Sequence, residues 1–176
     1  MLTLIKPVVE FEGINLKSTY DAYINELENE ERYPYPMDLD HEDFVSFVAL
    51  LNDYSKGQNL PDFLVPNTTF WLIQDNEIVA CSHLRHTLNK QLTEAGGHIG
   101  FGVRPSYRGK GLGKVLLEQT LQQAKLNDIN AVHIHCYASN LASVGLIKSV
   151  GANLIASRAL SQEKQTLLKF IYHQAL

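Results

Sequence analysis

The stretch Val103-Arg104-Pro105-Ser106-Tyr107-Arg108-Gly109-Lys110-Gly111-Leu112-Gly113-Lys114 decides the fold. It joins an apolar, strand-like segment to an amphipathic helical pattern through a basic loop that is rich in glycine. Glycine lets backbone N–H groups approach a ligand closely and adopts positive φ easily. The start of the helix adds unpaired N–H donors and the positive end of the helix dipole. The loop is therefore predicted to bind an anion, most simply a phosphate or diphosphate.

Hydrophobic periodicity on both sides of this loop predicts a series of strands and helices. Strands are predicted at 4–9, 69–74, 77–85, 97–103, 131–137, 152–157 and 166–172, and helices from residue 18, over 44–51, over 109–126 and over 140–150. Ser18 or Thr19 is predicted to cap the first helix, and 88–96 is predicted to be a polar loop. Glycines at 97, 100 and 102 indicate a bulge or a ligand that lies against bare backbone. Because a hairpin precedes strand–helix–strand units, we predict an α/β or α+β fold with a mixed sheet.

Composition narrows the class of protein. The 176 residues, 45% of them hydrophobic, fit one domain that can bury a core, and the net charge is −4. A nucleic-acid-binding protein needs a strong basic patch, and the basic cluster of this chain lies in the predicted phosphate loop, where it consists of Arg104, Arg108, Lys110 and Lys114. No run of residues reaches membrane-spanning length. Cys81 and Cys136 lack CxxC spacing, so we expect reduced thiols in a cytoplasmic protein.

Two common glycine loops do not fit. The nucleotide-hydrolase loop needs Ser or Thr after its Gly-Lys pair, but Gly113-Lys114 is followed by Val115. The dinucleotide fingerprint needs G-x-G-x-x-G in the first strand–helix unit, and the glycines at 109, 111 and 113 have the wrong spacing.

The pattern R-x-x-G-x-G, formed by Arg108, Gly111 and Gly113, resembles the acyl-CoA loop of the GNAT family of N-acetyltransferases. A second match follows the next predicted strand, where Asn140 precedes Gly151 by eleven positions. The resemblance extends over most of the chain. It implies one GNAT-type domain over residues 1–176, with a mixed, mostly antiparallel central sheet flanked by helices.

The resemblance also implies a donor, acetyl-CoA, and residues that hold it. Backbone N–H groups would bind its diphosphate at Arg108, Gly109, Lys110, Gly111, Leu112, Gly113 and Lys114. Phe101, Gly102 and Val103 would pair with the pantetheine amides, and the Val103 N–H would hold the oxyanion. Asn140 and Ser143 would contact the pantetheine, although Asn140 fits a helix cap equally well.

Acetyl transfer to an amine also needs proton transfers. The family commonly protonates the departing thiolate with a tyrosine four residues before the glycine that ends the late helix, and Ile147 stands there. Tyr137 is a substitute acid unless it packs on the core, and the thiolate could also leave unassisted because its thiol pKa is near 8.5. His98 is a candidate base, with satisfaction by the backbone as the alternative.

Other residues define the acceptor side. His133 and His135 share a strand face without a third ligand nearby, so no metal site is expected. The acidic, aromatic segment 28–43 would suit a cationic amine, or it is simply a solvated surface. Trp71 packs in the core or lines this cleft, and an Arg85 in the cleft would favour a carboxylate on the substrate.

These observations predict an N-acetyltransferase that moves acetyl from acetyl-CoA to a primary amine of a small molecule, by direct attack in a ternary complex. The alternative is an acyl-CoA-binding sensor that has lost turnover, as Ile147 would allow. The expected partner is a small-molecule amine, with no nucleic acid and no membrane. A homodimer built on the closing strands stays open.

Overall fold

The computed structural model describes residues 1–160 and 165–174. Its strands are β1 (Leu2–Ile5), β2 (Glu10–Phe11), β3 (Ile14–Asn15), β4 (Asn67–Gln74), β5 (Glu77–Arg85), β6 (Ile99–Val103), β7 (Ala131–Tyr137), β8 (Asn153–Leu160) and β9 (Gln165–His173). Its α-helices are α1 (Lys17–Glu26), α2 (Phe44–Ser55), α3 (Lys90–Glu94), α4 (Leu112–Leu126) and α5 (Leu141–Ser149). Short 3₁₀ turns occupy Tyr35–Asp38 and Pro105–Tyr107.

Seven strands form the main sheet in the order β1-β4-β5-β6-β7-β9-β8. Neighbouring strands run antiparallel except β6 and β7, which run parallel because α4 makes the crossover between them. β2 and β3 form a separate small hairpin. The expected mixed, mostly antiparallel sheet flanked by helices is confirmed.

Helices α1 and α2 cover one face of β4 and β5 with aromatic side chains. Trp71 is fully buried, with its ring centroid 5.5 Å from Tyr20 and 6.0 Å from Phe44, against which it stacks. Of the two roles considered for Trp71, the structure therefore shows core packing. Such aromatic pairs add about 0.5–1.5 kcal/mol beyond the area they bury.

Helices α4 and α5 cover the opposite face of the sheet. Leu117 and Leu121 of α4 and Ile147 of α5 pack with Ile134 and Phe170 of the sheet in one apolar cluster. At the beginning of α4, Leu112 belongs to a neighbouring apolar cluster against which Phe101 and Val103 of β6 pack. No helix in the described part of the chain combines the length and hydrophobicity needed to span a membrane.

Several element boundaries differ from the predicted ones for local reasons. Helix α4 begins at Leu112 rather than at 109, because Gly109 and Gly111 have φ of 74° and 78°. Helix α1 begins at Lys17 with no side-chain cap, and Thr19, predicted as a possible cap, accepts the Ile78 N–H at 2.9 Å through Oγ1. The first strand is β1, Leu2–Ile5, rather than 4–9. A loop predicted over 88–96 contains α3.

The glycines of β6 serve a packing purpose. A methyl group at Gly102 would lie 2.5 Å from the carbonyl oxygen of Tyr33, and one at Gly100 would lie 2.9 Å from the Tyr33 hydroxyl. The segment between α1 and α2 therefore lies directly on this strand. The space that these glycines leave open is occupied by the Tyr33–Pro34 segment.

Candidate active site

A gap between β6 and β7 forms the centre of the site. Within the described residues, the two strands pair in parallel register only at Ile99 and Ile134, and they separate beyond that point. The Arg104 N–H donates to the Val79 oxygen of β5 at 3.0 Å. Because hydrogen-bond direction alternates along a strand, Phe101 and Val103 direct their backbone N–H groups away from β5 and into the gap.

The glycine loop lies at the end of this gap. Gly109 and Gly111 both adopt left-handed φ, and Gly111 is the residue before α4. Lys114 is the first residue of α4 whose backbone N–H donates to a preceding carbonyl, the Gly111 oxygen at 3.1 Å. The N–H groups of Leu112 and Gly113 precede that bond, so the start of α4 presents donors to an anion.

Arg104 holds the loop in place. Its Nε donates to Glu26 at 2.7 Å and its Nη1 donates to Glu77 at 3.0 Å. Glu26 also accepts the Ser106 N–H at 3.0 Å, and the Tyr107 hydroxyl donates to Glu77 at 2.7 Å. The bond to Glu77 raises the pKa of Tyr107. Arg104 was counted among the phosphate-binding cations, and the structure corrects this because the guanidinium is buried between two carboxylates.

Arg108 and Lys110 occupy different positions at the loop. Arg108 lines the cleft, where its guanidinium pairs with Glu30 and its Nε donates to the Val103 oxygen at 3.0 Å. Lys110 places its ammonium 4.8 Å from the centre of the Tyr107 ring. Lys110 is not among the described residues that line the cleft, although its backbone stays a candidate diphosphate ligand.

The gap and the loop together form a cleft of about 1010 Å³. The predicted residues that line it are Phe101, Gly102, Val103, Arg108, Gly109, Gly111, Leu112, Gly113, Lys114, Tyr137, Asn140 and Ser143. The cleft volume is at the upper end of the range typical of small-molecule and cofactor sites. The structure therefore brings the two predicted motifs together in one cavity.

Asn140 caps a helix and also lies in the cleft. Its Oδ1 accepts the Ser143 N–H at 3.0 Å, which caps α5, and both residues line the cleft. Tyr137 ends β7, is 37% exposed and lines the same cleft. Ile147 is fully buried in the core beneath α5, and Leu146 lines the cleft beside it.

His98 packs against β7, outside the cleft lining that the structure describes. Its Nδ1 accepts the His133 backbone N–H at 3.0 Å, and it is not among the described residues that line the cleft. Burial, with smaller contributions from His133 and Arg85, lowers the pKa of His98 to about 4. This geometry matches the alternative considered for His98, a histidine satisfied by the backbone, and it does not support the base role.

The structure adds contacts in the cleft that sequence reasoning missed. Tyr33 contributes the wall over β6, and its signal in the sequence was the pair of glycines that make room for it. His135 is buried in the wall formed by β7, and neither ring nitrogen has a hydrogen-bond partner in the described structure. Burial is the first cause that lowers the pKa of His135 to about 4.

The acidic segment between the first two helices contributes little to the cleft. Among its described residues, Glu30, Glu31 and Tyr33 line the cleft, and Glu30 is already paired with Arg108. Tyr35 and Arg85 line a second, smaller cavity instead. Most of the segment is therefore the solvated surface that was considered as the alternative.

Comparisons with known proteins agree with this geometry. A model of the acetyltransferase (GNAT) family matches residues 15–152. A GNAT-family acetyltransferase from Streptococcus pneumoniae superposes with a TM-score of 0.67 at 15% identity, over 99% of this chain and 100% of that chain. The ribosomal-protein-alanine N-acetyltransferase from Brucella melitensis gives 0.67 at 15%, over 98% and 99%. YncA from Salmonella typhimurium, solved with its cofactor acetyl-CoA, gives 0.64 at 12%, over 98% and 93%. No curated protein matches the chain.

At these sequence identities, the solved structures show a common fold. The family model goes further because it matches well over half of the chain, including β6, the glycine loop and α5. The chain belongs to the GNAT acetyltransferase family.

Proposed function

We propose that this protein transfers acetyl from acetyl-CoA to the primary amine of a small molecule, by direct attack in a ternary complex. One observation carries the proposal: the gap between β6 and β7 leads to the donor-rich start of α4 within one cleft. A chain with amides at one end and a diphosphate at the other would fit this arrangement, and acetyl-CoA has that form. We propose that the acetyltransferase unit spans residues 1–176.

The diphosphate would be held by the backbone from Arg108 to Lys114. Phe101 and Val103 would pair with the pantetheine amides through the N–H groups that they direct into the gap, and Asn140 and Ser143 would contact the arm from α5. The Val103 N–H would hold the thioester oxygen as negative charge develops on it.

The chemical step joins the amine nitrogen to the thioester carbonyl carbon. The amine must first lose a proton, because its ammonium pKa is about 10. The carbon–sulfur bond then breaks, and we propose that the Tyr137 hydroxyl donates a proton to the departing sulfur. Tyr137 is favoured over Ile147 for this role because Tyr137 lines the cleft and carries an acidic hydrogen.

The setting of the protein is part of the proposal. Cys81 and Cys136 are both unpaired, which supports a reducing compartment, the cytoplasm. A homodimer stays a prediction. The strand β8, at the edge of the sheet with Leu154 and Ile155 half exposed, is the surface that would carry it, and sedimentation equilibrium tests it.

Release of free thiol from acetyl-CoA in the presence of a panel of primary amines tests the function. We expect amine-dependent release, with mass spectrometry showing an acetylated amine. If acetyl-CoA binds but no amine raises thiol release above the amine-free control, the enzymatic proposal is wrong. The protein is then better described as an acyl-CoA-binding sensor.

A further inference from the structure

A second, smaller cavity lies at the ends of β4 and β5. Its volume is about 150 Å³, and its apolar wall includes Phe63, Leu64 and Leu92. Three polar side chains share the lining, namely Asn67, His83 and Arg85. Asn67 and Arg85 are direct cross-strand partners, so the cavity is formed by regular sheet structure rather than by a loop alone.

Arg85 has a buried positive charge and no anionic partner. Its side chain is 8% exposed, and its Nη1 donates to the carbonyl oxygens of Gly97 at 3.1 Å and Gly96 at 3.5 Å. Within the described residues, no carboxylate forms an ion pair with it. A buried guanidinium normally has a carboxylate or phosphate partner, because desolvation otherwise disfavours the charge.

The neighbouring polar groups also lack partners. Both ring nitrogens of His83 and the Oδ1 of Asn67 are buried without a hydrogen bond in the described structure, and each residue is 1% exposed. Desolvation, with smaller contributions from Arg85 and His86, lowers the pKa of His83 well below its usual value. His83 is therefore neutral and retains one N–H donor. These unsatisfied groups line one cavity, where a polar ligand would supply their missing partners.

We propose that this cavity binds the carboxylate group of a small molecule, with the Arg85 guanidinium as its main contact. Guanidinium and carboxylate match in a planar, two-bond geometry. The cavity holds roughly five waters at about 30 Å³ each, so the bound portion is small and its apolar part meets Leu64 and Leu92.

Two kinds of molecule could supply the carboxylate. Gly96, whose oxygen accepts from Arg85, also lines the large cleft, so the carboxylate could belong to the amine acceptor itself. It could equally belong to a separate ligand. The first source rests on the proposed function, whereas the binding of a carboxylate in the cavity does not.

Titration of the whole protein with isobutyrate, followed by NMR, tests the binding. Coenzyme A at saturation keeps the large cleft occupied. We expect saturable shifts of the Arg85 side-chain N–H and of the Gln91 and Leu92 amides, and no such shifts with the neutral isostere isobutyramide. If isobutyrate produces no shift up to about 50 mM, or if isobutyramide produces the same one, the proposal is overturned.

Two variants and one control locate the contact. Arg85→Met should abolish the isobutyrate shifts, and Arg85→Lys, which keeps the charge but loses the planar fork, should weaken binding about tenfold. Arg158→Met is the matched control, because Arg158 is exposed and paired with Glu94. Shifts that persist unchanged in a folded Arg85→Lys or Arg85→Met protein would refute the assignment to Arg85.

A kinetic comparison then identifies the source. If the carboxylate belongs to the acceptor, alanine should show a lower KM than alaninamide, and Arg85→Lys should remove the difference. If it belongs to a separate ligand, the two KM values agree and isobutyrate binding is unaffected by the amine. If the wild-type protein binds isobutyrate but transfers no acetyl group to any amine, the proposed function is wrong and the cavity assignment stands.

Discussion

Glu30 and Arg108 form a two-bond ion pair at the mouth of the large cleft. Arg108 Nη1 donates to Glu30 Oε1 at 2.9 Å, and Nη2 donates to Oε2 at 2.7 Å. These bonds lower the pKa of Glu30, so its carboxylate is charged at neutral pH. The pair ties the segment between α1 and α2 to the loop that is proposed to hold the diphosphate.

Removing this carboxylate should tighten the binding of acetyl-CoA. In Glu30→Gln, Arg108 is free for a phosphate and one negative charge beside the diphosphate is lost. We expect the Kd in calorimetry to fall by up to about fivefold, since exposed ion pairs contribute up to about 1 kcal/mol. The gain should shrink in high salt. Glu94→Gln makes the same charge change at the Arg158 pair and should leave the Kd unchanged; weaker binding in Glu30→Gln would contradict competition for Arg108.

Replacing Gly111 should abolish coenzyme binding. Gly111 has φ of 78°, and no atom lies within 4 Å of an added Cβ, so Val is excluded by backbone conformation rather than by a clash. Acetyl-CoA at about 100 times its Kd should stabilise the wild type by about 2.7 kcal/mol, or roughly 5–10 °C in Tm. Gly111→Val should show no shift.

Gly145→Ala serves as the control, because Gly145 lies in α5 with open space around it. It should keep the full thermal shift. A full shift in Gly111→Val would refute the assignment of the loop.

Removing the Tyr137 hydroxyl should slow turnover without weakening donor binding. In Tyr137→Phe the proposed proton donor to the departing sulfur is gone. We expect kcat to fall about 10- to 100-fold at neutral pH, near the low end for acid catalysis because a thiolate is a good leaving group. Tyr172→Phe, on β9 away from the cleft lining, should change kcat by less than about twofold. An undiminished kcat in Tyr137→Phe would show that the thiolate leaves unaided.

Stability should fall in mild acid because of buried imidazoles such as His135. Its pKa is lowered to about 4 in the folded state, against about 6.5 in the unfolded chain. Above pH 6.5 the ring is neutral in both states; below that, the unfolded chain binds a proton that the folded protein does not. Between pH 7 and pH 5, His135 should therefore lower the free energy of unfolding by about 2 kcal/mol.

Urea unfolding of His135→Leu at pH 7 and pH 5 measures this contribution. The variant should lose about 2 kcal/mol less than the wild type between the two pH values. His173→Leu, which removes an exposed imidazole, is the control variant. An identical pH dependence in His135→Leu and wild type would contradict a buried neutral ring.

Local patterns predicted much of the fold. The hairpin of β4 and β5 followed from two neighbouring apolar runs separated by a short polar turn, and β5 occupies the predicted range. β7 also matches, because period-two alternation and flanking turns are properties of the segment itself. Helix starts were less predictable. α4 depends on glycine dihedrals that composition does not fix, and α1 begins without the side-chain cap that Ser18 or Thr19 would have supplied.

The site could be predicted where its residues are close in sequence. The loop from Arg108 to Lys114 and the cap at Asn140 lie in two short motifs, and both line the cleft. The partners of Arg104 could not be inferred, since Glu26 lies 78 residues away and Glu77 lies 27 away. The contact of Tyr33 with β6 was missed for the same reason: only the folded chain brings Tyr33 onto this strand.

The contact between Tyr33 and Gly102 restricts how the range of acceptors could be altered. Any side chain at Gly102 meets a main-chain oxygen at 2.5 Å, and a main-chain atom cannot rotate away. Random mutagenesis followed by selection for new amines should therefore recover few changes on β6. Successful variants should instead cluster at position 33 and its neighbours. There, a smaller or differently shaped residue changes the shape of the large cleft at little cost to folding.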